Sequence, residues 1–330
     1  MTPEELARAS RSGALAAALD DPAAVGMARP GAVRVTGADA LRFLHSQLTN
    51  EVERLEPGQG NLQARVTRTG HVEHLLSLHR LPDGDGLLLL TEDAPGLVAT
   101  LDAFLFSDDV TFTVEDGLRW IAVQGPAAPA ACEATFGPLG FEPWDTLPEY
   151  AIRPLRRARS APQPQPGAYA IRRSLGGDAG FLIGLREGDP AIDAALAGLT
   201  ASGVRVVPAA AFSGALEILR VEAGVPRVGP ETSPKRRLLP ETGMEHSAVS
   251  YAKGCYIGQE VIARVRTYGS VPSLLRALIL DPDAAPPALG DDLTLDSGEK
   301  VGTIATRCWS VVREAPVALA YLDRAHRTPG

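Results

Sequence analysis

Lys253-Gly254-Cys255-Tyr256-Ile257-Gly258-Gln259-Glu260 sets one cysteine between a lysine and two glycines. It stands directly ahead of Val261 to Val265, a segment that can open a helix. A cysteine acts as nucleophile or ligand only as the thiolate, and a nearby cation and a helix N-terminus both favour that charge. Gly254 and Gly258 can bring the backbone close to a ligand or take positive φ. Cys255 is thus the candidate reactive group, and Lys253 the candidate to hold its thiolate or to contact an anion. Tyr256, Gln259 and Glu260 complete the constellation, the last two as hydrogen-bonding groups. The same string also describes a buried cysteine beside a glycine turn, with Tyr256 packing and Glu260 favoured by the helix dipole. Spacing alone leaves both readings open.

The string resembles the Lys-Gly-Cys-Tyr-x-Gly-Gln-Glu signature of the YgfZ-type folate-binding proteins, with Ile257 in the variable place. These are relatives of the glycine-cleavage aminomethyltransferase. Phe43 to Asn50, Leu101 to Phe106 with Asp108-Asp109-Val110, Leu219 to Pro226, Leu239-Pro240-Glu241, and Gly302 to Tyr321 are similar to further segments of that family. The resemblance implies an α+β protein of three domains in a disc-like arrangement. Two α+β modules with antiparallel sheets are followed by a small C-terminal β-barrel, and a tetrahydrofolate (or a one-carbon derivative) lies in a central pocket. It implies support of iron–sulfur cluster assembly or repair, with indirect effects on tRNA thiomodification. Partners would be transient iron–sulfur client or assembly proteins, and the chain a monomer. Arg220 and Glu222 match the family's Arg-x-Glu, which places them as folate contacts, and Asn50 and Glu241 carry over in the same way. The alternative is a folate-dependent aminomethyl- or demethyl-transferase acting on a small amine.

Two departures separate the relatives. Where the aminomethyltransferase carries an aspartate pair, this chain reads Gly70-His71-Val72-Glu73-His74. Its Gly-Phe-Glu segment appears as Gly180-Phe181-Leu182. Glycine cleavage is therefore not expected.

The elements that must position these residues read as follows. Ala32 to Val35, His74 to Leu81, Gly86 to Thr91 and Val110 to Val114 read as strands. Asp39 suits an N-cap for a helix to about Leu48, and a second helix fits Pro95 to Phe106. Trp120 to Val123 opens a second unit, in which Gly125-Pro126 and an alanine-rich helix echo the Gly37-Ala38 exit. Arg153 to Gly167 reads as a loop, followed by strands at Ala168 to Ile171 and Gly180 to Ile183. Helices follow at Ala191 to Leu199 and Ala209 to Val221, with Leu216, Leu219 and Ala223 as the core face of the latter. Pro226 to Glu241 is an extended crossing loop. After the break at Tyr268-Gly269, Leu275 to Leu280, Asp291 to Leu295, Glu299 to Ile304 and Val317 to Leu322 read as barrel strands. The implied units are 1–115, 116–245, the signature loop and short helix at 246–272, and a barrel at 273–330.

Composition bounds the chemistry. A chain of 330 residues, 45% apolar and 22% charged, can hold several ordinary cores. A net charge of −8 argues against a nucleic-acid binder. Even so, the window Glu217 to Arg276 has nine Lys or Arg against six Glu, a local field suited to an anion. For the run Lys235-Arg236-Arg237 a solvated surface is the simpler account. Three widely spaced cysteines, Cys132, Cys255 and Cys308, form no disulfide framework or cluster motif, which points to a reducing cytoplasm. No apolar run approaches the ~20 residues of a membrane span, and the start of the chain lacks a signal core. His71, His74 and His79 lie on no common strand face, so no metal is expected.

Overall fold

The computed structural model describes residues 23–328 apart from 29, 140–141, 157–163, 176–178, 230, 233–235, 284 and 286. The N-terminal segment and Lys235 thus lie outside the described residues. Among the described residues the order opens with β1 (Ala24–Ala28) and β2 (Gly31–Thr36), then α1 (Ala40–Gln47), β3 (Gly60–Val66), β4 (Val72–Arg80) and β5 (Leu87–Thr91). It continues through α2 (Ala94–Asp102) and β6 (Thr111–Val114). The first sheet has the order β3-β4-β5-β2-β6, every pair antiparallel. Strand β5, Leu-Leu-Leu-Leu-Thr, is buried along its whole length because both faces of this sheet are covered. Leu87 and Leu89 pack with Phe43, Leu44, Leu97 and Leu101 of α1 and α2. Leu88 and Leu90 meet Trp120, Tyr169, Leu182 and Phe212 on the opposite side.

Those partners belong to the second sheet and its helices: β7 (Leu118–Gln124), α3 (Ala128–Phe136), β8 (Ile152–Arg156), β9 (Pro164–Arg172) and β10 (Gly180–Arg186). Then come α4 (Ala191–Ala201), β11 (Arg205–Val206) and α5 (Ala209–Glu222). The order is β11-β1-β7-β10-β9-β8. Strand β1 pairs with β7 from Ala24↔Gln124 to Ala28↔Trp120, so Ala24–Ala28 belongs to the second sheet and not to the first module. The echo between modules has a backbone basis. Strands β2 and β7 both leave their sheets through a glycine of positive φ, Gly37 at 114° and Gly125 at 124°. At Gly37 a Cβ would stand 2.0 Å from the Asp109 carbonyl oxygen, a position open only to glycine.

Helix α6 (Glu245–Ala248) and α7 (Gln259–Tyr268) lead to the last sheet, made of β12 (Ser273–Ile279), β13 (Asp292–Thr294), β14 (Lys300–Ser310) and β15 (Ala315–Asp323). Its order is β12-β15-β14-β13, an open four-stranded sheet among the described residues where a barrel was expected. Closure would require β12 to pair with β13, and β13 is three residues long and mostly exposed. One face, Leu275, Cys308, Val317, Leu319 and Tyr321, packs on Ala215, Ile218 and Val221 of α5.

Other expectations need correction. Asp39 precedes α1 but makes no side-chain cap; its carboxylate accepts instead from the Asp109 amide (2.9 Å) and Arg42. Helix α2 stops at Asp102, where the Phe104 amide turns back to Leu101 O. Arg153 to Gly167 holds parts of two strands, since Pro154 is tolerated on the edge strand β8. The buried stripe of α5 is Phe212, Ala215, Ile218 and Val221, while Leu216 and Leu219 are half-buried and Ala223 is exposed. Strand β3 has no legible apolar alternation because Gln63 and Arg65 are buried in it.

His79 supplies a pH test of this packing. Its ring is fully buried, with Nδ1 2.8 Å from the Tyr150 carbonyl and Nε2 2.9 Å from Ser77 Oγ. Burial, aided by Arg173, pushes its pKa from 6.5 down to about 4. The fold favours the neutral ring, so the unfolded chain binds the extra proton between pH 6.5 and 4. This contribution is complete above about pH 6.5 and declines as pH falls toward 4. Between pH 7 and 4.5 the wild type should lose about 2–3 kcal/mol more than His79→Gln. Urea unfolding of both proteins at the two pH values measures the difference.

Candidate functional site

The segment from Leu238 to Tyr268 wraps one face of β3 and β4. Leu239, Val249, Tyr256 and Ile262 form a small core with Ala64, Val66 and Val72. Gly258 makes this docking possible. It precedes α7 with φ 81°, and a Cβ there would stand 2.5 Å from the Thr67 carbonyl oxygen and 2.7 Å from Val66 Cγ2. Gly254 differs: its φ is not positive, and a Cβ would meet only His45 Nε2, at an ordinary 3.7 Å. The fold demands glycine at 258 and not at 254.

Lys253 is buried, and its Nζ donates to three backbone carbonyls: His45 (2.6 Å), Leu48 (2.8 Å) and Asn50 (2.7 Å). An ammonium has three N–H groups, so all are used and none is left for a thiolate. The carbonyls lie at and just beyond the end of α1, where unpaired C=O groups and the helix dipole attract a cation. Lys253 is therefore a clamp on α1, not the thiolate partner that spacing suggested. Burial pulls its pKa down to about 8, against the opposing pull of Glu51 and Glu53. Four residues on, the Ile257 amide donates to Ser46 O (3.1 Å). Cys255 sits between these anchors and is exposed, whereas Cys132 and Cys308 are buried. Burial raises both of those thiols, Cys308 to about 12.

The expected folate contacts fare unevenly. Arg220 donates to both oxygens of Glu217 (Nε 3.0 Å, Nη2 2.6 Å), to Glu231 Oε1 (2.9 Å) and to Val225 O. Burial opposes its charge, but the Glu217 and Glu231 carboxylates outweigh that and raise its pKa. Glu241 accepts from the Leu238 amide (2.9 Å), Ser273 Oγ (2.7 Å) and Arg237 (3.3 Å). The Asn50 amide spans Leu62 O and Ser247 O, both 3.0 Å away, and its Oδ1 accepts from the Glu51 amide. All three are occupied by the protein itself. Glu222 is not paired with Arg220, and its Oε1 is buried without a hydrogen-bond partner. The Tyr256 hydroxyl is likewise buried and unpartnered, with its pKa raised by burial and by Glu245 to about 12. Gln259 reaches the Gly254 carbonyl at 3.4 Å, and Glu260 is exposed.

At the position expected to mark an aminomethyltransferase, Glu73 accepts from the buried Arg65 (3.1 Å) and His74 Nε2 lies 3.0 Å from Thr100 Oγ1. Leu182 is part of the core. His71, His74 and His79 each bond to a different partner.

Sequence reasoning overlooked His45, Glu51, Glu217 and Glu231. Glu217 was findable, three residues before Arg220 on one helix face. Backbone carbonyls carry no side-chain signal, so the seat of Lys253 was not.

No family model matches the chain. A putative chloroplastic transferase of Arabidopsis thaliana is 28% identical over 84% of this chain and 59% of its own length. The chain thus spans less than two thirds of that protein. An aminomethyltransferase of Frankia alni is 28% identical over 89% of this chain and 76% of its own. The tRNA-modifying protein YgfZ of Sodalis glossinidius is 26% identical over 84% and 77%. Among solved structures, the glycine cleavage system aminomethyltransferase T from Bartonella henselae superposes with a TM-score of 0.80 at 20% identity. That alignment covers 97% of this chain and 84% of the other and shows a shared fold.

Arg220→Ala tests the assignment of that residue to the scaffold. It would leave the fully buried Glu231 carboxylate without its guanidinium, at a cost of about 3–5 kcal/mol in urea unfolding. Glu260→Ala, on the exposed start of α7, should stay within about 0.5 kcal/mol of wild type.

Proposed function

Because the chain belongs to the superfamily that holds YgfZ and the aminomethyltransferases, we propose that it is a reduced-folate-binding accessory protein that presents Cys255 to iron–sulfur proteins during cluster assembly or repair. The observation that carries this reading is the mounting of Cys255: the one exposed cysteine, on a short segment anchored at Lys253 and Ile257. A thiol presented in this way can exchange with a sulfur or cluster held by a partner, and it needs a reducing compartment to stay free. The contact with partners is transient, and the effect on tRNA modification is indirect, through enzymes that carry clusters.

Folate enters as a bound ligand. The residues do not fit it in the form first expected, since Arg220, Asn50 and Glu241 are each engaged by protein groups. Unused capacity remains at Glu222 Oε1, the Tyr256 hydroxyl and Glu260. An arginine–carboxylate contact with the ligand would require Glu217 or Glu231 to release Arg220. The competing reading, amine aminomethyl- or demethyl-transfer, needs a carboxylate free to work at the folate nitrogen, and Glu73 is tied to Arg65.

Calorimetric titration with 5-formyltetrahydrofolate, paired with complementation, tests both halves. Cys255→Ala is expected to bind the folate as wild type does, yet fail to restore cluster-enzyme activity in cells lacking the protein. Full restoration by Cys255→Ala would remove the thiol from the function, and absence of any folate binding would remove the ligand.

A further inference from the structure

We propose that Lys253 is the positioning residue for Cys255: its ammonium latches the signature segment into a three-carbonyl seat at the end of α1 and thereby sets where the thiol stands. This rests on Cys255 being the functional group, but its test reads the latch alone.

The seat is built rather than incidental. The His45 carbonyl would ordinarily accept from the Thr49 amide one helical turn on. That amide donates instead to Ala64 O (3.1 Å), so the His45 oxygen is free for Lys253. The Leu48 carbonyl lies beyond the last turn, where no helical N–H reaches it. Asn50 is held by its own amide, which donates to Gln63 Oε1 (2.7 Å), and by its side chain. Three acceptors at 2.6–2.8 Å match three donors. Charged groups around the seat are Glu51 and Glu53 from the turn after α1, with the His45 ring 3.2 Å from Glu51. The Tyr256 ring lies 5.2 Å from Nζ.

Between the two anchors, Gly254 and Cys255 are exposed, and the Gly254 carbonyl accepts a long bond (3.4 Å) from Gln259 Nε2. Loss of the Lys253 anchor therefore frees that stretch while the Gly258 docking to Thr67 and Val66 persists.

Cys255 alkylation by iodoacetamide reads this directly, because Cys132 and Cys308 are buried. In Lys253→Ala the Cys255 rate should rise severalfold, because the thiol, already exposed, is no longer held in one orientation by the anchored segment. The pH midpoint of the rate should not move. Propylammonium, which restores the N–H donors, should bring the rate back toward wild type; tetramethylammonium, which has none, should not. Lys253→Met, which keeps the apolar stem beside Tyr256, serves if the alanine variant does not fold. A slower rate with the midpoint moved upward would show direct thiolate stabilisation and overturn the latch. So would an unchanged rate, or equal labelling of all three cysteines in both variants.

Discussion

Burying an ammonium is costly unless every N–H finds an acceptor, and the seat of Lys253 meets that requirement with backbone alone. Much of the neighbouring structure serves it. The chain must leave α1 with three carbonyls turned to one point, which requires the Thr49 amide to cross to β3 and the Asn50 amide to be held by the buried Gln63. Those needs explain why β3 carries polar residues on a buried strand, with Gln63 also reaching Glu51 O and Asn61. A lysine some 200 positions away then closes the arrangement, bringing the signature segment to the first sheet.

The same economy of polar groups runs through the centre of the molecule. Two sheets meet across Leu88, Leu90, Trp120 and Leu182, and α5 is wedged between the second sheet and the last. Several charges buried along that seam are paired among themselves: Arg220 with Glu217 and Glu231, and Arg237 with Glu241 and over the Tyr321 ring at 3.7 Å. Removing one partner strands the other in low dielectric. These residues hold the parts of the molecule in register first, and any ligand role is added to that. The exposed Cys255 lies on the segment that is anchored to the end of α1.

Much of the fold was legible. Short apolar runs located β2, β4, β5, β7 and β10, alternation located β6, and the Gly37 and Gly125 exits marked where helices begin, because only glycine fits their backbone angles. Legibility failed where polarity was buried. Gln63 and Arg65 hid β3, and Pro154 disguised an edge strand as a loop. The stripe on α5 was displaced because two layers press on that helix. At the site, the eight-residue signature pointed to the family, yet residue types alone did not show that Lys253 and Arg220 are held by the protein's own carbonyls and carboxylates. A cation beside a cysteine and an arginine near a cavity have the same appearance in sequence whether their partners are a thiolate, a ligand, or the protein's own carbonyls and carboxylates. Only geometry separates these.

Lys253 is an ammonium locked by three carbonyls. The chain has only three lysines, Lys235, Lys253 and Lys300, so selective lysine-Nζ nitrogen-15 NMR below pH 7 can address it directly. The three-carbonyl seat predicts a slowly exchanging ammonium cross-peak that disappears in Lys253→Met, while Lys300, half-exposed beside Asp292, exchanges fast. A spectrum in which the Lys253 ammonium exchanges as fast as a surface lysine would contradict it.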